Sequence, residues 1–187
     1  MNEKERNIVE TAIGVISRYG VRRTTMGDIA SAAGISRQTL YSNYANKEEV
    51  LAAAICYSTD RTMEALEADW SAESSIADKL DAYFQHCVIA YYDMLSQMPD
   101  AEDLVTGYNT VGKAEQDKAM QRKGEVLASL LAPYKDRLAK AGMTPEDLAD
   151  MVLNASSNFK YVAKDRPHLL KLIGSLRQAA LSLIGKV

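Results

Sequence analysis

Apolar residues recur along the chain at three- and four-residue steps, the spacing that puts them on one face of an α-helix. From Glu5 to Tyr19 the face is Ile8, Ala12, Ile13, Val15, Ile16 and Tyr19, and Gly20 ends it. A short second face, Ile29, Ala30 and Ala33, follows Thr25, with Asp28 three residues on to complete a capping box. Gly34 breaks that helix, Ile35 follows as a buried plug, and Ser36 caps a third helix through Leu40 and Tyr41. Asn46 starts a longer one through Val50, Leu51, Ala54, Ile55 and Tyr57 towards Leu66.

The same pattern continues. A helix is expected from Ser75 to about Met98, stopped by Pro99, and a shorter one from Asp100 to about Tyr108. An amphipathic stretch runs from about Val111 to Ala141, with bends or breaks at Gly112, Gly124 and Pro133 and an end at Gly142. Thr144-Pro145-Glu146-Asp147 is a helix start, and its helix presents Leu148, Met151, Val152, Ala155, Phe159 and Val162. The last helix begins near Pro167 and carries Leu169, Leu172, Ile173, Leu176, Ala180, Leu183 and Ile184. The expected fold class is all-α: an N-terminal three-helix helix-turn-helix domain over residues 1–48, then a larger all-helical domain over 49–187.

Composition agrees. With 47% hydrophobic and 25% charged residues and only 4 Pro among 187, the chain reads as a globular protein of long helices. No apolar run approaches the ~20 residues that span a bilayer, and the charged N-terminus lacks signal-peptide character; a cytoplasmic location without membrane contact is expected. Cys56 and Cys87 lack metal-type spacing and read as reduced thiols, with a redox switch as the alternative. With His86 and His168 far apart, no metal or cofactor is expected. The net charge of −3 hides an asymmetry: between Arg18 and Lys47, the cations Arg18, Arg22, Arg23, Arg37 and Lys47 face only Asp28. Such a basic patch fits nucleic acid, and also an ordinary solvated face.

Two short helices joined by a glycine turn cross closely only when the crossing residues are small, as Ala30 and Ala33 are. In a helix-turn-helix the second helix enters the major groove. Its exposed start here is Arg37, Gln38 and Thr39. Arg and Gln make two-pronged hydrogen bonds to guanine and adenine, and Thr offers a methyl or hydroxyl. The same corner occurs in proteins that bind no DNA, so spacing alone leaves both readings open.

The run Thr24-Thr25 to Lys47, with Asp28-Ile29-Ala30, Ala33-Gly34-Ile35-Ser36, Thr39-Leu40-Tyr41, Tyr44 and Asn46-Lys47-Glu48-Glu49, resembles the N-terminal domain of TetR-family transcriptional regulators. The likeness covers about residues 5–55; Tyr44 stands where the family often has phenylalanine. It implies that Thr25, Tyr41, Tyr44 and Lys47 contact phosphates while Arg37, Gln38 and Thr39 lie nearest the bases. For Tyr44, burial against the first helix is the alternative, and Arg22 and Arg23 are either solvated or near phosphate. The resemblance further implies the helix after Asn46 as the link between ligand and DNA, a homodimer through the two C-terminal helices, double-stranded operator DNA as partner, and a small-molecule effector.

Tyr83, His86, Tyr91 and Asn158 are the candidate effector-pocket residues, with Tyr92, Asn109 and Asn154 nearby in pattern; aromatic residues at helical spacing equally fit a core. No basic pocket is legible, which favours an uncharged or aromatic effector. The function expected is a dimeric regulator, a repressor released from a palindromic operator by its effector. An enzyme would need a nucleophile beside a base or paired carboxylates in a cleft, and the sequence offers neither. A helix-turn-helix module without a ligand is the remaining alternative.

Overall fold

The computed structural model describes residues 1–99 and 110–185; the helix expected over Asp100–Tyr108, and Asn109, lie outside them. The described residues are helical with no strand. They form two compact units, Met1–Arg61 with Asp93–Ala119, and Thr62–Tyr92 with Met120–Val187. These are units of packing, and they divide the chain elsewhere than the functional boundary expected at 48/49.

The first unit is built on α1 (Glu3–Tyr19), α2 (Met26–Ala32), α3 (Arg37–Tyr41) and the start of α4 (Lys47–Asp69). Asn2 caps α1 and shares a capping box with Glu5, so the helix starts two residues before its apolar face does. Gly20 ends it at φ 84°, and Gly34 ends α2 at φ 66°, conformations that a Cβ disfavours. Ile8, Ala12, Ile16, Val21, Met26, Ile29, Ala30, Leu40, Val50 and Leu51 form one buried cluster, with Ile35 and Tyr44 half-buried against it. Ile35 is therefore less deep than expected, although its N–H donates to the Ala30 carbonyl at 3.0 Å and closes the turn.

The stretch expected as one continuous helix divides into α5 (Ile76–Phe84) and a π-type turn over Gln85–Ile89, both in the second unit, and α6 (Ala90–Ser96), which, like the helix that follows it, is shared with the first. The wider turn lets the consecutive residues Cys87, Val88 and Ile89 all be buried, more than one face of an α-helix holds. Next come α7 (Thr110–Leu131), a 3₁₀ turn at Ala132–Tyr134 around Pro133, and α8 (Lys135–Lys140). Helix α7 runs unbroken through Gly112 and Gly124, against expectation. At Gly124 the missing Cβ serves packing, since one would stand 3.2 Å from Leu153 Cδ2. Helices α9 (Pro145–Val162) and α10 (Arg166–Leu183) complete the unit, capped by Thr144 and Asp165. Its core joins Leu80, Tyr83, Phe84, Leu127, Leu131, Leu138, Leu148, Val152, Leu169, Ile173 and Ala180. Arg177 grips Asp81 with two hydrogen bonds of 2.5 and 2.8 Å, tying α10 to α5.

Three capping boxes share one electrostatic device. Hydrogen bonds from Thr25, Ser75 and Thr144 hold the Asp28, Asp78 and Asp147 carboxyls below their ordinary range. A carboxyl depressed only in the folded state stabilises it above the unfolded value near 3.8, and that contribution is lost as pH falls through the folded value. The urea midpoint should therefore drop as pH is lowered through about 4. Asp28→Asn, Asp78→Asn and Asp147→Asn combined should flatten that drop; an unchanged pH profile would show that the boxes add nothing to stability.

Candidate nucleic-acid interface

Helix α3 is five residues long, too short to persist alone. Three features hold it. Ser36 caps it, accepting from the Thr39 N–H at 3.0 Å while its hydroxyl donates to Thr39 Oγ1 at 2.9 Å. Leu40, fully buried, anchors it in the core of the first unit. Beyond its end, the Tyr44 N–H donates to the Leu40 carbonyl and the Asn43 amide to the Thr39 carbonyl at 2.7 Å. The outer surface that remains carries Arg37, Gln38 and Tyr41 exposed and Thr39 half-buried.

Arg37 is not extended. Its guanidinium lies on the first turn of α2, where a Cβ on Gly27 would stand 2.8 Å from Nη2, and its charge helps to depress Asp28. Gly27 thus provides a seat that any larger residue would crowd. Thr25 caps α2 and donates its hydroxyl to Asp28 Oδ2 at 2.7 Å, leaving the residue at an exposed helix start. Tyr44 is half-buried against the core, and burial, with the Glu5 carboxylate nearby, holds its phenol above the usual range. The structure thus gives Tyr44 the packing alternative at least in part.

Lys47 occupies a place that sequence reasoning did not foresee. Its ammonium donates to the Val21 carbonyl at 2.9 Å and the Thr24 carbonyl at 3.0 Å. Thr24, itself buried, donates its hydroxyl to the Gly20 carbonyl at 2.8 Å. Lys47 and Thr24 together fasten the connection between α1 and α2, so the lysine expected at phosphate is first a brace of the domain.

The expected effector residues do not converge. Tyr83 is core: 1% exposed and edge-on to Phe84, with burial holding its phenol above the usual range. His86 is half-buried with Nε2 2.8 Å from Asp69 Oδ2. Asn158 is exposed on α9, its amide donating to the Asn154 carbonyl at 2.8 Å. At Tyr91 the Lys160 ammonium lies 5.5 Å from the ring centre. A separate cleft of about 270 Å³ is lined by residues including Met63, Leu66, Trp70, Arg122 and Glu125. Among the described residues no group of acidic, His and Cys side chains is arranged to hold a metal, and no helix is long and apolar enough to cross a membrane.

This arrangement, a capped two-helix corner with polar side chains on its outer helix, lies within the segment 8–54 that matches the family model of bacterial regulatory proteins, tetR family. Over this N-terminal segment the chain is similar to bacterial regulatory proteins of the tetR family. Over 67 residues it is 34% identical to the HTH-type transcriptional regulator YerO of Bacillus subtilis, covering 36% of this chain and 23% of that protein. Over 43 residues it is 40% identical to a probable acrEF/envCD operon repressor of Escherichia coli, covering 23% and 20%. The matched stretch therefore spans under a quarter of these two relatives' length. The fold likeness is wider. A transcriptional regulator from Cytophaga hutchinsonii superposes with TM-score 0.74 at 16% identity, over 98% of this chain and 97% of that one. The fatty acid degradation regulator FadR of Bacillus halodurans gives 0.68 at 21% identity, over 100% and 97%. The fold likeness, a helix-turn-helix followed by a helical domain, thus extends over the whole chain.

Proposed function

We propose that the protein is a homodimeric, non-enzymatic regulator that reads a palindromic operator through α3 and represses until a small molecule releases it. The observation that carries this reading is the outer face of α3. Arg37 and Gln38 stand exposed on a helix whose backbone is fixed by a cap and a buried leucine. Groove-facing side chains of this kind supply base recognition, while Thr25, Tyr41, Tyr44 and Lys47 lie on flanking segments suited to phosphate. Arg37 must leave its seat on Gly27 and Asp28 to reach a base, so DNA competes with an internal contact.

One five-residue helix reads too few bases for useful specificity, and a two-fold dimer doubles the site. Support for pairing through α9 and α10 comes from large apolar side chains that the protomer leaves in water, Met151 38%, Val162 59% and Leu170 40% exposed. Residues 1–48 act as reader and 49–187 as sensor and dimerisation domain. Helix α4 belongs to both, and a ligand that binds its two positions with different affinity shifts the spacing of the readers. The cytoplasm, where operator DNA lies, is the working compartment.

The test is selection from a random duplex pool at near-physiological salt. One enriched inverted repeat supports the reading; no enrichment by folded dimer overturns it. On the selected site, Arg37→Ala and Gln38→Ala should each cost ~1–3 kcal/mol and relax preference at distinct base positions. Losses equal at every position would remove these residues from base reading.

A further inference from the structure

In the second unit, α6, α7 and α9 bring together side chains that are far apart in sequence. The Lys160 ammonium lies 4.8 Å from the centre of the Tyr161 ring and 5.5 Å from that of Tyr91. Lys123, on α7, is close enough for its charge to disfavour that of Lys160, and it also acts on the buried Cys87 thiol of the π-type turn. Burial, with the Tyr161 phenol adding to it, raises the Tyr91 phenol. Packing of α7 on α9 sets this meeting: Ser157 Oγ stands 3.6 Å from Met120 Sδ, and Leu153 lies against Gly124.

The cluster is unbalanced. Its polar members are two ammonium groups and two phenol hydroxyls, all hydrogen-bond donors at neutral pH. Among the described residues no carboxylate or carbonyl lies within hydrogen-bond distance of either ammonium, and neither hydroxyl has a partner. Burial is substantial: it lowers the Lys160 ammonium, with Lys123 adding to the effect, and pushes the Tyr91 phenol up to about 12. Aromatic faces attract a cation but accept none of its N–H bonds in full. Like charges held together and orphaned donors each cost stability. The Tyr161 hydroxyl, on a residue 61% exposed, meets water, but the half-buried Lys160 ammonium and Tyr91 hydroxyl lack an acceptor that an anion would supply, with the Lys123 charge nearby.

We propose that Lys123, Lys160, Tyr91 and Tyr161 bind the anionic oxygen group, carboxylate or phosphate, of the small molecule this protein senses. The inference rests on the sensor reading above and names the chemistry of its ligand. The tyrosine rings that flank Lys160 offer apolar faces to the remainder of the molecule. An anionic ligand departs from the uncharged or aromatic effector expected from the sequence. Lys123 and Lys160 stand on different helices, and no local pattern marks them as one pocket.

The experiment uses the full-length protein and four probes of equal chain length: octanoate, octyl phosphate, octanamide and octanol. Thermal shift and calorimetry measure binding, since a ligand confined to the folded state raises its melting temperature. At least one anionic probe should bind, with the neutral pair at least tenfold weaker, and the preferred anion separates carboxylate from phosphate. Lys160→Met and Lys123→Met keep the stems and should each weaken that anion at least tenfold, and Tyr91→Phe several-fold. Ligand-free Lys160→Met should melt no lower than the parent protein, which distinguishes a binding lysine from a structural one. Equal binding of octanoate and octanamide, unchanged affinity in Lys160→Met, or no binding of either anion up to millimolar concentration would overturn the inference. Release from the selected operator by a neutral molecule alone would overturn it while leaving the sensor reading intact. Absence of operator selection would strike that reading instead.

Discussion

Leu40→Ala should abolish tight DNA binding while leaving the helical second unit folded. Leu40 is the one buried residue of α3 and is fully buried. Truncating such a leucine costs about 2–5 kcal/mol, from lost apolar transfer and the cavity left behind. Apart from the Arg37 guanidinium resting on α2 at the surface, the remaining contacts of α3 are local: the Ser36 cap, and bonds from Asn43 and Tyr44 to the helix's own carbonyls. They shape the helix without attaching it to the core. DNA would then have to order the element it binds, and each 1.4 kcal/mol so spent is a tenfold rise in Kd. Operator affinity should fall at least tenfold, with faster amide exchange confined to α2 and α3. Leu138→Ala is the control. It is equally buried, sits in the other unit, and should lower the melting temperature with a smaller loss of operator affinity. Equal losses of affinity from the two changes would mean that α3 has no special dependence on its anchor.

The sequence makes this anchor legible and leaves other parts dark, for a physical reason. Caps, glycine stops and apolar stripes are local signals, each written within a few residues. The helix starts at Thr25, Ser36, Ser75 and Thr144 and the stops at Gly20, Gly34 and Gly142 are accordingly found where the pattern places them. The π-type turn at Gln85–Ile89 has no such signature, because whether three successive residues are all buried depends on what packs over them. Gly124 reads as a bend and is a close approach, since the deciding neighbour is Leu153 on another helix. The surroundings of the effector candidates are illegible in the same way. Tyr83, His86, Tyr91 and Asn158 look alike as polar groups on amphipathic helices, yet tertiary contacts send one to the core, one to Asp69, one to Lys160 and one to solvent. A weak signal did exist for Lys160. It continues the buried series Ala149, Leu153, Ser156 on α9, a register in which a lysine is out of place.

Lys47→Ala should act on the domain before it acts on DNA. Its ammonium makes two charge-assisted hydrogen bonds to the carbonyls of Val21 and Thr24, which belong to the connection from α1 to α2. Hydrogen bonds to a charged group are worth about 1.5–3 kcal/mol, and the vacated carbonyls near buried Val21 and Thr24 would be poorly placed to recover water. A loss of about 2–3 kcal/mol in urea unfolding of the first unit is expected, together with weaker binding to all DNA sequences. The two roles separate by salt. A lysine acting only as a phosphate contact would leave unfolding unchanged and reduce the slope of log K against log salt by about 1. A lysine acting only as a brace would destabilise the unit and leave that slope alone. The geometry gives the brace, and the exposed start of α2 and the tyrosines of the α3 segment mark where phosphate would lie. Lys47→Ala should therefore lose stability in full, and the slope will then measure how much of its charge the DNA also uses.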